Sequence, residues 1–146
     1  MKLVIQRVDR ATVTEVESSK VVGEIEQGLF ILLGVKRGDT EETAISLAQK
    51  LLKLRIFEEE RGKMNLSVVD TKSSVLVVSQ FTLMASTKDG NRPSFAEAEE
   101  PTKARKVYET FISELKKQVK VQSGSFGKYM NISASLDGPV TILLKS

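Results

Sequence analysis

Two hydroxyls and an amide stand at the end of a short apolar run near the middle of this 146-residue chain. Residues 75–78 have the β-branched and aliphatic composition of a central strand covered on both faces, and Ser79, Gln80 and Thr82 follow them. A rigid strand end can hold such groups in a defined geometry, which suits polar chemistry on a bound substrate. The alternative is that Ser79 and Thr82 only bond to nearby main-chain groups, as hydroxyls at such positions commonly do.

The composition narrows the available chemistry, because the chain contains neither histidine nor cysteine. It therefore has no Ser-His-Asp or Cys-His arrangement, no imidazole or thiolate metal ligand and no disulfide. If the protein is an enzyme, it must use hydroxyls, carboxylates, lysine, main-chain dipoles or a group that its substrate supplies.

Length and hydropathy predict one ordinary domain that spans residues 1–146. The hydrophobic content of 40% and the few prolines are typical of a compact fold with a single core. The longest apolar runs are far short of a membrane span, and Met1 leads into a strand-like segment rather than a signal peptide. We therefore expect a cytoplasmic protein that does not associate with membranes.

The positive charge is concentrated in the last third of the chain. The net charge is only +3, yet residues 101–146 carry 8 basic and 3 acidic side chains. This asymmetry is compatible with a partner that bears phosphate groups. A solvated helix face rich in lysine explains the same charges equally well.

The elements that must position the polar strand end are mostly strands. Gly34, inside one apolar run, predicts a bulge or a close approach of two backbones. The alternating and apolar segments predict strands around residues 3–8, 11–16, 20–25, 29–35, 55–60, 64–67, 75–79, 119–122, 129–134 and 140–144.

Two helices complete the predicted architecture. Asp39 as N-cap with Glu42 three residues later predicts the start of the first helix, which extends to about residue 54. Pro101 suits the first position of the second helix, whose apolar stripe is core. Turns are predicted at Glu60-Arg61-Gly62-Lys63 and at Asp89-Gly90. The whole pattern predicts an α+β fold of stacked, mainly antiparallel and barrel-like β-sheets with two helices packed on one side.

Six sequence blocks, in the same order and separation, resemble those of the D-aminoacyl-tRNA deacylases. The resemblance covers the whole chain, and the blocks SQFTL and GPVT are its most specific part. The blocks are IQRV at 5–8, RIFEEERGKMNLSV at 55–68, VVSQFTL at 77–83, RPSF at 92–95, FG at 126–127 and GPVT at 138–141.

The resemblance implies an ester hydrolase, independent of metal and cofactor, that removes D-amino acids and glycine from the 3′ end of mischarged tRNA. It also implies a homodimer in which the partner's Gly138-Pro139 dipeptide, with its peptide bond cis, completes each site. An aminoacyl ester is already activated and its neighbouring ribose hydroxyl can assist the attack, so main-chain donors for the developing oxyanion suffice. This chemistry agrees with the missing histidine.

The resemblance assigns roles to individual residues of this sequence. The catalytic segment would be Ser79, Gln80, Phe81 and Thr82, with Leu83 contacting the substrate. Arg7 would brace the Gly-Pro loop. The remaining substrate contacts would come from Phe126 and Met130, which line the pocket for the terminal adenosine, and from Gly138, Pro139 and Thr141 of the GPVT block.

Two positions depart from the family pattern, and two other function classes remain open. Leu136 stands where the family usually has asparagine, and Lys128 stands where a small residue is usual. Leu136 either repacks the dimer interface or removes a bond that holds the loop. The other classes are a non-catalytic tRNA-binding module and a general acyl esterase that acts on small esters without tRNA.

Overall fold

Strands dominate the fold, as the sequence predicts. The computed structural model describes residues 1–60, 62–88 and 90–146. Their elements are strands β1 (Lys2–Glu15), β2 (Val21–Ile25), β3 (Gly28–Gly34), β4 (Phe57–Glu58), β5 (Met64–Leu66), β6 (Ser74–Ser79), β7 (Val121–Ser123) and β8 (Met130–Lys145), helices α1 (Glu41–Leu52) and α2 (Pro101–Leu115), and a single 3-10 turn (Phe81–Met84).

One mixed sheet forms the body of the fold. Its strand order is β2-β1-β3-β6-β7, and β8 pairs with β1 outside this path. The pairs β1/β2, β1/β3 and β1/β8 are antiparallel, whereas β3/β6 and β6/β7 are parallel. Strands β4 and β5 form a separate antiparallel ribbon. Antiparallel pairing therefore predominates.

The sheet curls until its two ends meet, which produces the barrel-like shape. A Cβ atom at Gly23 of β2 would lie 3.0 Å from the carbonyl oxygen of Ser123 in β7 and 2.7 Å from the Leu76 side chain. Because glycine has no side chain, the backbone of β2 can approach β7 this closely. The curled sheet with two helices confirms the predicted α+β architecture.

Each face of the sheet covers its own apolar cluster. One cluster joins Leu3, Ile31 and Val77 of the sheet to the apolar stripes of α1 and α2, including Leu51 and Phe111. The other lies inside the curl and is built from Val8, Ala11, Val13, Ile25, Phe30, Leu76 and Val78. Strand β6 contributes to both clusters because alternate side chains of a strand point to opposite faces. Both helices pack on one side of the sheet, as predicted.

Two predicted boundaries are wrong because tertiary contacts override local signals. Residues 3–8 and 11–16, except Val16, belong to the single strand β1, and residues 129–134 and 140–144, except Tyr129, belong to the single strand β8. These long strands pair with each other along their length, with register shifts between Gln6 and Val8 and between Val8 and Arg10. The shifts bend the strands without interrupting them, so the Asp137-Gly138-Pro139 segment lies within β8 and not between two strands.

The N-cap of α1 is Thr40 and not Asp39. The Thr40 hydroxyl accepts a hydrogen bond from the Thr43 amide, and the Thr43 hydroxyl accepts one from the Thr40 amide, which closes the capping box without Glu42. Asp39 instead accepts from the Lys36 amide at 2.7 Å and pairs with the Met1 ammonium at 2.5 Å. The buried Met1 ammonium therefore binds the carboxylate that the sequence pattern assigns to the helix cap.

Both predicted turns contain one residue outside the described residues, namely Arg61 and Asp89. Their glycines, Gly62 and Gly90, have φ of 71° and 135°, which are backbone conformations that favour glycine. None of the helices in the described part of the chain is long and apolar enough to cross a membrane.

Candidate active site

Strand β6 delivers the predicted polar segment to one edge of the sheet. It runs between β3 and β7, parallel to both, and continues through Gln80 into the 3-10 turn Phe81–Met84. The Gln80 amide donates to the Leu33 carbonyl at 2.7 Å, and Lys2 Nζ donates to the Leu83 carbonyl at 3.0 Å. The segment after the strand is therefore held to β3 and β1 by hydrogen bonds.

Gly34 permits the close backbone approach that the sequence predicts at this position. A Cβ atom there would lie 2.9 Å from the Gln80 carbonyl oxygen and 2.7 Å from Met84 Cε. Such distances leave no room for a side chain, since the nearest backbone atom cannot move independently of β6. The glycine thus lets the polar segment turn directly over the end of β3.

A cavity of about 590 Å³ opens at this edge and is called the strand-end cavity below. Apolar surface dominates its walls, with the hydroxyl and amide groups of the polar segment on one side. Its lining brings together Ser79, Gln80, Phe81 and Thr82 with Phe126 and Met130, which lie more than forty residues further along the chain. These six are residues for which the sequence predicts catalytic or substrate-binding roles.

Hydrogen-bond donors in the cavity are concentrated at the start of the 3-10 turn. The Gln80 side chain donates from Nε2 to the Thr82 hydroxyl at 2.5 Å, so an amide and not a base contacts that hydroxyl. The Leu83 amide donates to the Gln80 carbonyl at 3.2 Å. The amides of Phe81 and Thr82 come before Leu83, the first amide that bonds within the turn, and therefore have no partner within it.

Aromatic packing fixes two walls of the cavity. The Phe81 ring meets Phe95 of the RPSF block edge to face, with centroids 5.2 Å apart. The Phe126 ring lies tilted against Tyr108 at 5.6 Å. The Tyr108 hydroxyl donates to the Val77 carbonyl at 2.9 Å, and burial raises the pKa of this phenol, so it remains a donor. Helix α2 thereby locates Phe126 relative to strand β6.

Arg7 lies away from this cavity, where it holds the segment before Gly138. Its guanidinium is buried, donates to the Ile56 carbonyl at 2.7 Å and donates to Asp137 Oδ1 at 3.3 Å. Arg7 Nε lies 2.6 Å from Asp137 Oδ2 but is not aligned with it for a hydrogen bond. A Cβ atom at Gly138 would lie 3.5 Å from Arg7 Nη2. Arg7 and the Gly-Pro segment are therefore neighbours within one chain.

The other predicted site residues stand apart from the strand-end cavity of their own chain. Leu83 lies in the 3-10 turn but does not line the cavity, and Gly138, Pro139 and Thr141 are exposed on β8. The Gly138–Pro139 peptide bond is cis. Within one chain, the structure thus brings the Ser79–Thr82 segment to Phe126 and Met130 but not to the Gly-Pro dipeptide.

Sequence reasoning missed several residues of the cavity wall. Pro101, Tyr129 and Ile132 line it, and Ile132 could have been found because it lies two residues after Met130 on a strand. Lys128, one of the two residues that depart from the family pattern, also lines the cavity. Its ammonium pairs with Glu17 at 2.8 Å, and that hydrogen bond raises the pKa of Lys128. Among the described residues, no cluster of three or more acidic side chains that could hold a metal ion occurs.

Comparisons with known proteins agree over the full length of the chain. The family model described as D-Tyr-tRNA(Tyr) deacylase matches residues 4–145. The chain is 52% identical over 147 residues to the D-aminoacyl-tRNA deacylase of Aquifex aeolicus, covering 100% of this chain and 98% of that one. It is 53% identical over 146 residues to the enzyme of the same name from Persephonella marina, with the same coverage of 100% and 98%.

Solved structures also match the fold of this chain. A protein described as c-Myc DNA Unwinding Element Binding Protein matches with a TM-score of 0.92 and 39% identity, over 100% of this chain and 99% of that one. A structure described as that of a probable eukaryotic D-amino acid tRNA deacylase matches with a TM-score of 0.85 over 98% and 97% of the two chains. Its identity of 17% makes this second likeness one of fold alone.

Proposed function

Since this chain belongs to the D-Tyr-tRNA(Tyr) deacylase family, whose members hydrolyse an ester bond of aminoacyl-tRNA, we propose that it removes D-amino acids and glycine from tRNA and rejects L-amino acids. It would act in the cytoplasm. The observation that carries the proposal is the strand-end cavity, which joins the Ser79–Thr82 segment to Phe126 and Met130.

The proposed reaction needs no ionisable side chain. Water adds to the ester carbonyl carbon, and its proton passes through the neighbouring 2′-hydroxyl to the departing 3′-oxygen of the terminal adenosine. The products are the free amino acid and tRNA. Amides placed where the oxyanion develops stabilise the transition state, and the Phe81 and Thr82 amides are suitable donors. Thr82 has a supporting role, because the one side chain that hydrogen-bonds to its hydroxyl among the described residues is the Gln80 amide, which is not a base.

The apolar side of the cavity suits the terminal adenosine. Phe126 and Met130 offer a flat ring and an adaptable thioether, both of which bind purine surfaces well. Because Tyr108 fixes the Phe126 ring, the base would be placed in one orientation relative to the polar segment. The ester carbonyl, attached to the ribose, would then point to the 3-10 turn.

Chiral rejection would come from the Gly138-Pro139 dipeptide of a second copy. In its own chain this dipeptide is exposed, lies outside the strand-end cavity and is held by the contact of Arg7 with Asp137. A wall of main-chain atoms at the cavity mouth would exclude an L side chain, whereas a D side chain would point away and glycine would have nothing to exclude.

A homodimer is supported by the surface of β8. This strand pairs on one side with β1 and carries the exposed apolar side chains Ile132, Leu136 and Leu143, which are 39%, 44% and 65% exposed. Ile132 also lines the strand-end cavity, so a partner seated on β8 would reach its mouth. Exposed apolar side chains on an edge strand favour an interface. In this arrangement Leu136 would repack the dimer interface.

The test compares three substrates with the purified protein. We expect hydrolysis of D-tyrosyl-tRNA, negligible hydrolysis of L-tyrosyl-tRNA and slow hydrolysis of a simple D-tyrosine ester. Equal rates on the two tRNAs would contradict chiral rejection, and equal rates on the simple ester would indicate a general acyl esterase. A non-catalytic nucleic-acid-binding module is the second candidate, because one solved relative is described as a DNA-element-binding protein. It would bind without hydrolysis.

Subunit mixing tests the shared site directly. One variant, Phe81→Pro, removes a main-chain donor from the cavity segment. The other, Gly138→Val, distorts the dipeptide, since Gly138 has φ of 110° and no room for a Cβ beside Val140. If each site uses both subunits, a heterodimer of the two has one intact site. Random mixing then restores about one quarter of wild-type activity, because half of the dimers are mixed and each has one working site of two. Sites contained in one subunit would give no recovery.

A further inference from the structure

A series of adjoining cavities leads away from the strand-end cavity around helix α2. The first, called the helix groove, has a volume of about 660 Å³ and shares Phe126 and Lys128 with the strand-end cavity. The second, called the lysine groove, has a volume of about 350 Å³ and shares Lys116 with the helix groove. The three cavities therefore mark one path from the end of β6 to the C-terminal end of α2.

The three basic side chains within α2 each have an acidic partner. Lys103 pairs with Glu99 at 3.0 Å, and Arg105 pairs with Glu109 at 2.9 Å. The third, Lys106, pairs with Glu41 of the neighbouring helix at 2.6 Å. The lysine-rich face that the sequence indicates is thus largely compensated, and it is a weak candidate for binding phosphate.

The lysine groove is different, because most of its positive charges have no acidic partner in the described part of the chain. It is lined by Lys72, Lys116, Lys117 and Lys120 together with uncharged side chains. Lys117 pairs with Glu114, but the other three lie within 4.0 Å of no carboxylate in the described part of the chain. Three cations facing one concave surface attract an anion that can contact several of them.

Capping of α2 explains only one of these lysines. Lys116 is the C-cap residue, where a cation interacts favourably with the helix dipole. Lys72 precedes β6 and Lys120 precedes β7, so neither belongs to a helix end. Lys72 also has a φ of 54°, a conformation that residues other than glycine seldom adopt, and this conformation turns the chain at the groove. Three separate segments therefore direct lysines to one place.

The distance from the reacting ester suits an extended polyanion. The lysine groove lies at the start of strand β6, and the strand-end cavity lies at the end of the same strand. The five residue steps of β6 span about 17 Å. A small substrate bound in the strand-end cavity would not reach the groove. A nucleic-acid strand whose last nucleotide occupies the strand-end cavity would reach it several nucleotides upstream.

We propose that the helix groove and the lysine groove bind the phosphodiester backbone of the tRNA acceptor strand, with Lys72, Lys116 and Lys120 contacting its phosphates. This inference rests on the proposed function. Glu15 and Glu109 also line the helix groove; Arg105 pairs with Glu109, whereas no basic side chain in the described part of the chain pairs with Glu15. The phosphates are therefore expected at the Lys116 end and beyond it.

The test compares a long and a minimal substrate in two variants. Lys116→Ala/Lys120→Ala removes two of the proposed contacts, and Lys50→Ala is the matched control, because Lys50 is an exposed lysine in the last turn of α1 that lines none of these cavities. The measurement is kcat/KM for D-tyrosyl-tRNA and for D-tyrosyl-adenosine, with melting temperatures for both variants.

We expect the ratio of the two kcat/KM values to fall roughly tenfold in the double variant and to stay at the wild-type value in the control. The slope of log affinity for tRNA against log salt should also become less steep by about 1 for each lysine removed. An unchanged ratio and slope, with only the melting temperature lowered, would assign these lysines to helix capping and overturn the inference. Failure of the wild-type protein to hydrolyse either substrate would instead contradict the proposed function.

Discussion

The Phe81 amide offers a sharp test of how the site stabilises charge. Phe81→Pro removes this N–H group, and proline is tolerated at the first position of a helical turn. The preceding residue, Gln80, has φ of −143° and ψ of 84°, which is outside the helical region that proline disfavours. The substitution should therefore remove one donor with little change of backbone.

The expected magnitude follows from the number of donors. Gln80 and Leu83 already donate to the main-chain carbonyls of Leu33 and Gln80, which leaves the Phe81 and Thr82 amides for the oxyanion. Removal of one of two donors should lower kcat about 10²–10³-fold, which corresponds to about 2.7–4 kcal/mol of transition-state stabilisation. The loss should appear in kcat more than in KM, because the oxyanion exists only in the transition state.

The matched control is Phe81→Ala, which removes the same ring and its contact with Phe95 but keeps the amide. Single-turnover hydrolysis of D-tyrosyl-tRNA measures the chemical step in both variants, and a thermal melt checks that both fold. If Phe81→Pro is as fast as Phe81→Ala within threefold, the Phe81 amide does not stabilise the oxyanion and the reasoning is refuted.

Three further substitutions test the site and its support. Thr82→Ala should slow turnover less than tenfold, and no acyl-threonine should be trapped in the wild type. A tRNA ending in 2′-deoxyadenosine should be a very poor substrate. A trapped acyl-threonine would instead show that Thr82 is the nucleophile. Gly34→Ala should destabilise the fold by about 1–3 kcal/mol in denaturant unfolding and lower kcat, because its Cβ would push against the Gln80 carbonyl; unchanged stability and kcat would contradict the close approach. Hydrogen bonds from the Gly38 amide, and then from Lys103 and the Glu100 amide, lower the pKa of Glu99 to about 2. A carboxyl whose pKa is lowered in the folded state stabilises the protein above the ordinary carboxyl pKa, so the free energy of unfolding should fall as the pH drops from about 5 to 2. Glu99→Gln should weaken this pH dependence. Identical pH profiles of the variant and the wild type would show that Glu99 does not contribute to it.

Local patterns in the sequence determined much of the fold. The apolar stripes with a period of 3.6 residues predict both helices, and the β-branched run before Ser79 predicts the central strand β6. These signals are reliable because each depends on side chains close together in the chain, where periodicity and burial coincide. Gly34 belongs to the same class, since a glycine within an apolar strand indicates a close approach before the neighbour is known.

Only tertiary contacts decided the rest. Strands β1 and β8 are long because each bends against the other, and Asp39 leaves the helix cap because the Met1 ammonium lies beside it. The charge of Lys106 on α2 is compensated by Glu41 of α1, a pairing between two helices that no count along the chain reveals.

The candidate site likewise depends partly on residue types that the sequence shows and partly on tertiary contacts. The residue types of Ser79–Thr82 indicate chemistry by themselves, because the missing histidine leaves few alternatives. Their position beside Phe126 and Met130 depends on the parallel pairing of β6 with β7, which places the β7–β8 segment at the same edge of the sheet. A contact between residues more than forty positions apart is determined by the packing of the whole sheet, so only the folded structure brings the two halves of the cavity together.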